Sequence, residues 1–190
     1  PYATMRFGEN VYWQIRGAWG TSSNDVSPYQ TYTDNFDTTR WLASTTLSGT
    51  WDYYDWSFRP TASVGYMRDT SGRYEDHFGA VIPEVRSRLG QAKFGPEIGY
   101  RFAGTDGAVI EPRAAIQAIW NFAGSTTADT LGTIDGVQAG PTGVRGRVEL
   151  GLRSSTPSGL GIDISASYDG IGSDDYNDVA GRAAITLPMH

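Results

Sequence analysis

The stretch that decides the fold reads Trp56-Ser57-Phe58-Arg59-Pro60-Thr61-Ala62-Ser63-Val64-Gly65-Tyr66-Met67. Its even-numbered residues are apolar or aromatic, whereas its odd-numbered residues are polar, charged or glycine as far as Gly65. Successive side chains of a β-strand point to opposite sides, so this alternation predicts a strand with one apolar and one polar face.

The same alternation recurs along the chain in about eight runs of roughly ten residues. The other apolar faces span 11–19, 41–53, 92–102, 110–122, 144–152, 160–168 and 179–189. Tight connections near 54–55, 103–107 and 154–159 alternate with long ones at about 21–37, 68–85, 123–142 and 170–178. This pattern predicts an all-β fold, an antiparallel up-and-down barrel formed by a single domain over residues 1–190.

Composition excludes several classes of protein. The 190 residues carry a net charge of −6, which argues against nucleic-acid binding, and they include no cysteine for a disulfide framework or a cysteine zinc site. Lys93 is the single lysine among 15 basic residues. Because arginine is preferred where cations are paired and geometrically fixed, this bias predicts basic residues that face an enclosed space with carboxylate partners.

Charged residues cluster on the polar face of the runs, which indicates an interior lined by ion pairs. This predicted lumen network comprises Arg16, Asp52, Arg59, Lys93, Glu97, Arg101, Glu111, Arg113, Arg145, Arg147, Glu149, Arg153, Asp163, Asp169 and Arg182. A soluble lipocalin-like barrel also alternates, with its apolar face inside, and remains the alternative.

Aromatic residues on the apolar face sort into two groups along the strands when the C-terminus is placed on the tight-turn side. The group towards the turns is Trp13, Trp51, Tyr53, Trp56, Phe58, Tyr100 and Phe102. The group towards the long loops is Trp19, Trp41, Tyr66, Trp120, Phe122 and Tyr168. Two aromatic girdles around an apolar band are typical of a transmembrane β-barrel. Because lipid tolerates no open sheet edge, we expect closure, with a plugged interior if eight strands suffice.

The carboxy-terminal part of the chain resembles the translocator β-domain of bacterial autotransporters (type V secretion) over about residues 38–189. The stretches that carry the resemblance are Phe58-Arg59-Pro60 to Val64-Gly65-Tyr66, Gly95 to Phe102, Ala108 to Arg113 and on to Trp120, Tyr168 to Gly172, and the strand from Val179. The resemblance implies a twelve-stranded outer-membrane barrel that is assembled by the Bam machinery and is linked through a lumenal helix to a secreted passenger.

This sequence departs from the family pattern in two ways. About eight strands are predicted, so four amino-terminal strands and the linker helix are missing, and another chain or segment is expected to complete the barrel. The family usually ends in an aromatic residue, whereas this sequence ends in Leu187-Pro188-Met189-His190. The runner-up interpretation is a stand-alone eight-stranded structural or adhesion barrel whose loops contact partners or lipopolysaccharide.

Catalytic, metal and cofactor sites are not predicted. His77 follows Glu75 and Asp76 in a long loop near Ser71, and a lipid-modifying enzyme would need such a group, but a solvated loop histidine is the preferred interpretation. The acidic loop of Asp174, Asp175, Asn177 and Asp178 lacks the spacing of a calcium loop.

We expect the acidic loops at 24–37 and 170–178 to meet lipopolysaccharide through divalent cations. Arg145, Arg147 and Arg153 are interpreted as paired lumen charges rather than an anion-binding stripe. The glycines are expected to relieve crowding in the lumen or to mark bends.

Overall fold

The computed structural model describes residues 1–27, 30–128, 143–174 and 176–188, and the side chains of 125–128 are not described. Within these ranges the chain forms one large antiparallel sheet and one small hairpin. The strands are β1 (Tyr2–Phe7), β2 (Val11–Val26), β3 (Asp34–Gly49), β4 (Trp51–Tyr53), β5 (Trp56–Ser71), β6 (Tyr74–Glu75), β7 (Val81–Ile82), β8 (Val85–Tyr100), β9 (Phe102–Ala103), β10 (Val109–Ala128), β11 (Gly143–Ser155), β12 (Gly161–Ile171) and β13 (Asp178–Thr186).

The large sheet is an up-and-down meander. Its order is β1-β2-β3-β5-β8-β10-β11-β12-β13, so that strands which follow one another in the chain lie side by side. The short strands β4 and β9 pair with β5 and β10, and β6 pairs with β7 in the separate hairpin. The predicted all-β, antiparallel, up-and-down fold is therefore confirmed. No helix in the described ranges has the length and apolar character to cross a bilayer.

The described sheet has two edges, β1 and β13. Each of these strands pairs with one neighbour only, β1 with β2 and β13 with β12. Thr186 at the end of β13 pairs with Gly161, next to the turn at 156–160, so β13 ends on the tight-turn side as expected. The described strands thus leave the sheet open.

Burial distinguishes the two faces of the sheet. The apolar face is exposed: the exposed fraction is 68% for Leu150 and 65% for Ile116. The polar face is shielded, and Glu111 and Arg113 are buried with exposed fractions of 6% and 9%. A soluble protein buries its apolar face, so this is the inverted arrangement of a membrane barrel. We call the polar face the inner face and the apolar face the outer face.

Turn chemistry explains the short connections. In the connection between β9 and β10, Gly107 adopts a φ of 79° and the Asp106 carboxylate accepts a hydrogen bond from the Ala108 amide at 3.1 Å. At the next turn Gly159 has a φ of 87°, and the Thr156 amide donates to the Leu160 carbonyl at 2.9 Å. Left-handed conformations of this kind suit glycine, because an added Cβ would strain the backbone.

The strands are longer than the runs of about ten residues predicted from the alternation. β2, β3, β5 and β8 each have 16 residues. β2 and β3 occupy more than half of the predicted loop at 21–37, whereas β5 and β8 take up only the two ends of the predicted loop at 68–85. A bilayer needs only about 9–11 residues per tilted strand, so these strands continue beyond the apolar band as polar ribbons. The expected loop at 123–142 is strand up to Ala128, and residues 129–142 lie outside the described ranges.

The sequence prediction also missed one strand of the main sheet, besides the small hairpin of β6 and β7. Tyr2–Phe7 forms β1, which pairs with β2 from Tyr2↔Arg16 to Phe7↔Val11. The main sheet therefore has nine neighbouring positions instead of about eight. The run is only six residues long, which is too short to be separated from a loop by periodicity alone.

Candidate functional site: the charged inner face

The ion pairs of the inner face begin where β5 and β8 lie side by side. Arg59 and Glu97 are direct neighbours in the sheet, and Arg59 Nη1 lies 2.9 Å from Glu97 Oε1. The same nitrogen lies 2.7 Å from Glu111 Oε1 on β10. The Ser57 hydroxyl, which is fully buried, donates a 3.0 Å hydrogen bond to the same Glu111 oxygen. One arginine thus joins three strands.

Arg113 on β10 is the centre of the network. Its Nη1 lies 2.8 Å from Glu97 Oε2 and 3.1 Å from Glu149 Oε1, and its Nη2 lies 2.9 Å from Asp163 Oδ1. These carboxylates belong to β8, β11 and β12. Burying a guanidinium without partners would be strongly destabilising. Here three carboxylates surround the buried guanidinium of Arg113 and compensate the cost of its desolvation.

Further pairs extend this network in both directions. Arg101 binds Asp52 on β4 and lies 3.6 Å from Glu111, whereas Arg147 binds Glu149 at 3.2 Å. Arg153 binds Asp163 at 3.1 Å. A chain of alternating charges therefore runs from β4 to β12. A separate buried pair joins Arg145 Nε to Asp169 Oδ1 at 2.7 Å.

Glycines make room for these side chains. A Cβ on Gly99 would lie 2.6 Å from Glu111 Oε1 and 2.7 Å from Ser57 Oγ. A Cβ on Gly151 would lie 2.8 Å from Arg113 Nε. Such separations are shorter than real Cβ contacts, so both positions require glycine while the network keeps its geometry.

Three residues of the predicted network form no ion pair with any described residue: Arg16, Lys93 and Arg182. Arg16 and Arg182 are exposed and lie on β2 and β13, at or next to the open edges. Lys93 is partly buried on β8. The other members of the predicted set all take part in the pairs described above. The choice of partner depends on the register of three or more strands, which the sequence does not give.

A groove without ion pairs lies on the inner face of β3, β5 and β8, and sequence reasoning missed it. It has a volume of about 260 Å³. Its inner-face lining consists of Leu42, Ser44, Thr46, Ser63, Gly65, Met67, Leu89, Gln91 and Lys93. We call this the uncharged groove, since its lining side chains are small or neutral apart from Lys93. A usable signal was present in the sequence, because small residues alternate at Ser44 and Thr46 and again at Ser63 and Gly65.

Aromatic residues of the outer face pack against one another at both ends of the strands. Towards the turns, the ring centroids of Trp56 and Tyr100 are 4.9 Å apart and those of Trp51 and Phe58 are 6.3 Å apart. Trp13 lies 6.2 Å from Phe7, and its indole nitrogen donates a 2.6 Å hydrogen bond to Thr45 Oγ1.

Towards the loops, a second group of aromatic residues follows the same pattern. The rings of Trp41 and Tyr66 lie 5.1 Å apart and those of Trp120 and Phe122 lie 5.5 Å apart. Trp19 is the direct sheet neighbour of Trp41. Tyr168 projects from β12 with an exposed fraction of 37%. Amphipathic rings of this kind favour the interface between lipid and water.

The loop around His77 has the contacts of a small aromatic cluster. The His77 ring stacks on Tyr32 at 5.5 Å and meets the edge of Phe78 at 5.5 Å. Asp76 accepts hydrogen bonds from the amides of Phe78 and Ala80 at 2.9 and 2.7 Å, so its carboxylate shapes the turn. Desolvation, and then the negative charge of Asp76, raises the pKa of the Tyr32 phenol. In the described structure no hydrogen bond joins His77 to Ser71, Glu75 or Asp76.

The remaining candidates were an acidic loop and an arginine row. Asp175 of the acidic loop, and the terminal Met189 and His190, lie outside the described residues. Among the side chains that the structure does describe, no cluster of three or more His, Asp or Glu residues could hold a metal ion. Arg145 also places its guanidinium 4.4 Å from the centre of the Tyr176 ring. Arg145, Arg147 and Arg153 thus all have partners within the chain.

An inverted sheet with a buried, ion-paired polar face and two aromatic groups on its apolar face defines the class: a β-barrel protein of the bacterial outer membrane. The family model of the autotransporter beta-domain matches residues 1–169. The chain belongs to the autotransporter beta-domain family. The family predicted from the sequence is therefore confirmed, although the match begins at residue 1 instead of near 38 and ends at 169.

Comparison with solved structures gives the same fold. The β domain of the Bordetella autotransporter BrkA matches with a TM-score of 0.58 at 17% sequence identity, over 97% of this chain and 68% of that chain. No curated protein sequence matches the chain. The autotransporter beta-domain is a membrane and secretion domain and not an enzyme class, and its location is the bacterial outer membrane.

Proposed function

We propose that this chain anchors a passenger segment in the outer membrane and provides the barrel through which that passenger is exported. The observation that carries the proposal is the uncharged groove of the inner face. A barrel whose interior is filled with ion-paired side chains has no room for a polypeptide segment. The groove lined by Ser63, Gly65 and other small side chains leaves such room along the wall. Membership of the autotransporter beta-domain family supports this role.

The open edges of the sheet support a second element of the proposal. In lipid every backbone N–H and C=O group needs a partner, and one edge of β1 and one edge of β13 have none among the described strands. Further strands, from another segment or chain, therefore complete the barrel. The solved BrkA β domain is longer than the region matched here, which is consistent with additional strands. The pairing of the described strands gives no support to the alternative of a stand-alone eight-stranded barrel.

Two more elements follow from the family. We propose that the barrel assembly machinery inserts this chain, and that lipopolysaccharide surrounds its loop end.

We also propose that the chain has no enzymatic activity of its own. Replacing His77 with alanine, in the whole protein, is expected to leave any lipid-hydrolase signal of the preparation unchanged. A signal that disappears with His77→Ala would assign an enzyme to the chain.

The site of the passenger segment is testable by cross-linking from single cysteines, because the chain has none of its own. In the whole protein, Ser63→Cys carries a photoreactive label into the uncharged groove, whereas Val64→Cys carries it to the outer face, where Val64 is 47% exposed. We expect Ser63→Cys to cross-link to the protein's own passenger-linking segment and Val64→Cys to cross-link to lipid. Equal cross-linking of that segment from both positions would contradict the proposal.

Export itself is tested by filling the groove. Gly65→Trp should block surface exposure of the passenger, measured by protease added to intact cells, while the barrel still assembles. Ala43→Trp is the matched control, because Ala43 lies on the outer face of the adjacent strand, next to the Ser44–Gly65 pair. Normal export by Gly65→Trp would remove the groove from the export path.

A further inference from the structure

Three arginines face outward from the sheet, in contrast to all other basic residues of the described strands. The register of β5 and β8 runs without a bulge from Trp56↔Tyr100 to Ser71↔Val85. Arg68 is therefore on the same face as Val64 and Tyr66, and Arg88 and Arg86 are on the same face as Phe94. The bias towards arginine had predicted basic residues in an enclosed space. Arg68, Arg86 and Arg88 depart from this, because they face outward. Arg68 begins the predicted loop at 68–85, and Arg86 and Arg88 follow it.

These outward arginines lie next to the aromatic group at the loop end. Arg68 is the sheet neighbour of Trp41 on one side and of Arg88 on the other. The next outward pair towards the membrane is Tyr66 and Gly90, about 7 Å away along the strands. The Phe122 ring covers Gly90, because a Cβ on that glycine would lie 2.3 Å from the ring. The arginines thus stand at the border between the aromatic girdle and the polar ribbons, at the level of lipid headgroups.

The positive charges of this patch favour the binding of an anion. Arg68 and Arg88 are directly opposite each other, an arrangement of like charges that is unfavourable in a sheet. Neither Arg68 nor Arg88 forms an ion pair with a described residue. Arg86 binds Glu84, which directly precedes β8. Arg88 and Arg86 are exposed and Arg68 is partly buried. Two adjacent guanidinium groups offer planar sets of donors that match the oxygens of a phosphate group.

We propose that Arg68 and Arg88 form a binding site for the phosphate group of a phosphorylated lipid in the outer leaflet, with Arg86 at its border. The acyl chains of that lipid would then lie along the outer face below, against Tyr66 and Phe122. This lipid bridges the two arginines and removes their repulsion. The site differs from the acidic loops, which would need a divalent cation to meet the same headgroup.

Binding is measured on the whole protein extracted from outer membranes. The probes are lipopolysaccharide, the same lipid after enzymatic removal of its phosphates, and inorganic phosphate. The variant Arg68→Gln/Arg88→Gln removes both guanidinium groups. The control Arg6→Gln/Arg73→Gln makes the same change in net charge outside this patch. Arg6 faces inward on β1, and Arg73 lies in the turn beyond β5. Heat-sensitive migration on gels confirms that each variant has folded.

We expect the Arg68→Gln/Arg88→Gln protein to bind lipopolysaccharide at least about tenfold more weakly, because charge-assisted hydrogen bonds to phosphate are lost. The control should bind as the parent does, and the dephosphorylated lipid should not distinguish the proteins. Arg68→Lys/Arg88→Lys keeps the charge but not the paired donors, so intermediate binding is expected. Equal binding by parent and glutamine variant would overturn the proposal. Inorganic phosphate that binds as tightly as the lipid would overturn the assignment to a lipid headgroup.

Discussion

The inner face of this barrel wall has two regions built on different principles. From β5 to β12 it is filled by a continuous network in which Arg113 alone binds three carboxylates. On β3, β5 and the adjoining part of β8 it carries the uncharged groove, where small side chains such as Ser63 and Gly65 leave open volume. In the first region paired charges hold the side chains in place. In the second region small side chains pack less densely and leave a groove along the wall. The difference teaches that the same polar alternation in a sequence encodes both an ion-paired wall and an open groove.

The largest expected effect comes from breaking the centre of the network. Arg113→Met leaves Glu97, Glu149 and Asp163 without their shared cation, and it should lower the free energy of unfolding by about 3–5 kcal/mol. Urea titration in lipid vesicles measures this. The control Lys93→Met removes a cation that has no ion pair with the described residues, and it should change stability by less than about 1 kcal/mol. Similar losses for both variants would erase the distinction between the two regions.

The next prediction tests which face meets the lipid, on which the comparison depends. Leu150→Arg places a charge on the outer face and should cost about 2–4 kcal/mol or block assembly. Thr61→Arg on the inner face enters a cavity of about 200 Å³ that Glu97 and Glu149 also line, so it should be tolerated better. Folding yields in vesicles rank the two variants. The reverse ranking would show that the faces have been exchanged.

A smaller effect is expected from glycine substitution, and it separates the two regions directly. Gly151→Ala forces its Cβ against Arg113 Nε, which the ion pairs hold in place, and should cost about 1–3 kcal/mol. Gly65→Ala meets only the Ser44 Cβ at 3.7 Å and the Ala43 carbonyl oxygen at 4.0 Å, so its effect should stay within about 0.5 kcal/mol. The Gly151 cost should also shrink in the Arg113→Met background, because the two changes share one contact. Additive costs would argue against that contact.

The smallest effect concerns the exposed end of the network. Arg153 is 44% exposed in its side chain, and its partner Asp163 keeps Arg113 as a second cation. Arg153→Gln should therefore cost only about 0–1 kcal/mol, and added salt should reduce this difference further. Urea titrations at low and high salt measure both values. A loss as large as that of Arg113→Met would mean that the network has no centre.

Sequence alone was sufficient for the strand pattern and the face assignment, because a period of two is visible wherever one face is apolar. It failed where both faces are polar, as in the ribbon from Asp34 to Arg40, since nothing alternates there. For the same reason the alternation did not reveal the outward positions of Arg68, at the start of the predicted loop 68–85, or of Arg86 and Arg88, which follow that loop. The three partners of Arg113 depend on cross-strand register and on the space left for its guanidinium by Gly151, which only the folded sheet reveals.

Heat-modifiability on gels tests most directly the central claim that these strands form an open wall of a larger barrel. The isolated 190-residue chain, refolded in detergent, should give no compact, heat-sensitive band, because β1 and β13 lack partners in the described sheet. The whole protein, or the chain mixed with the segment that completes it, should give such a band. A compact, heat-sensitive band from the isolated chain would show that it closes alone, and it would favour a stand-alone barrel over an export domain.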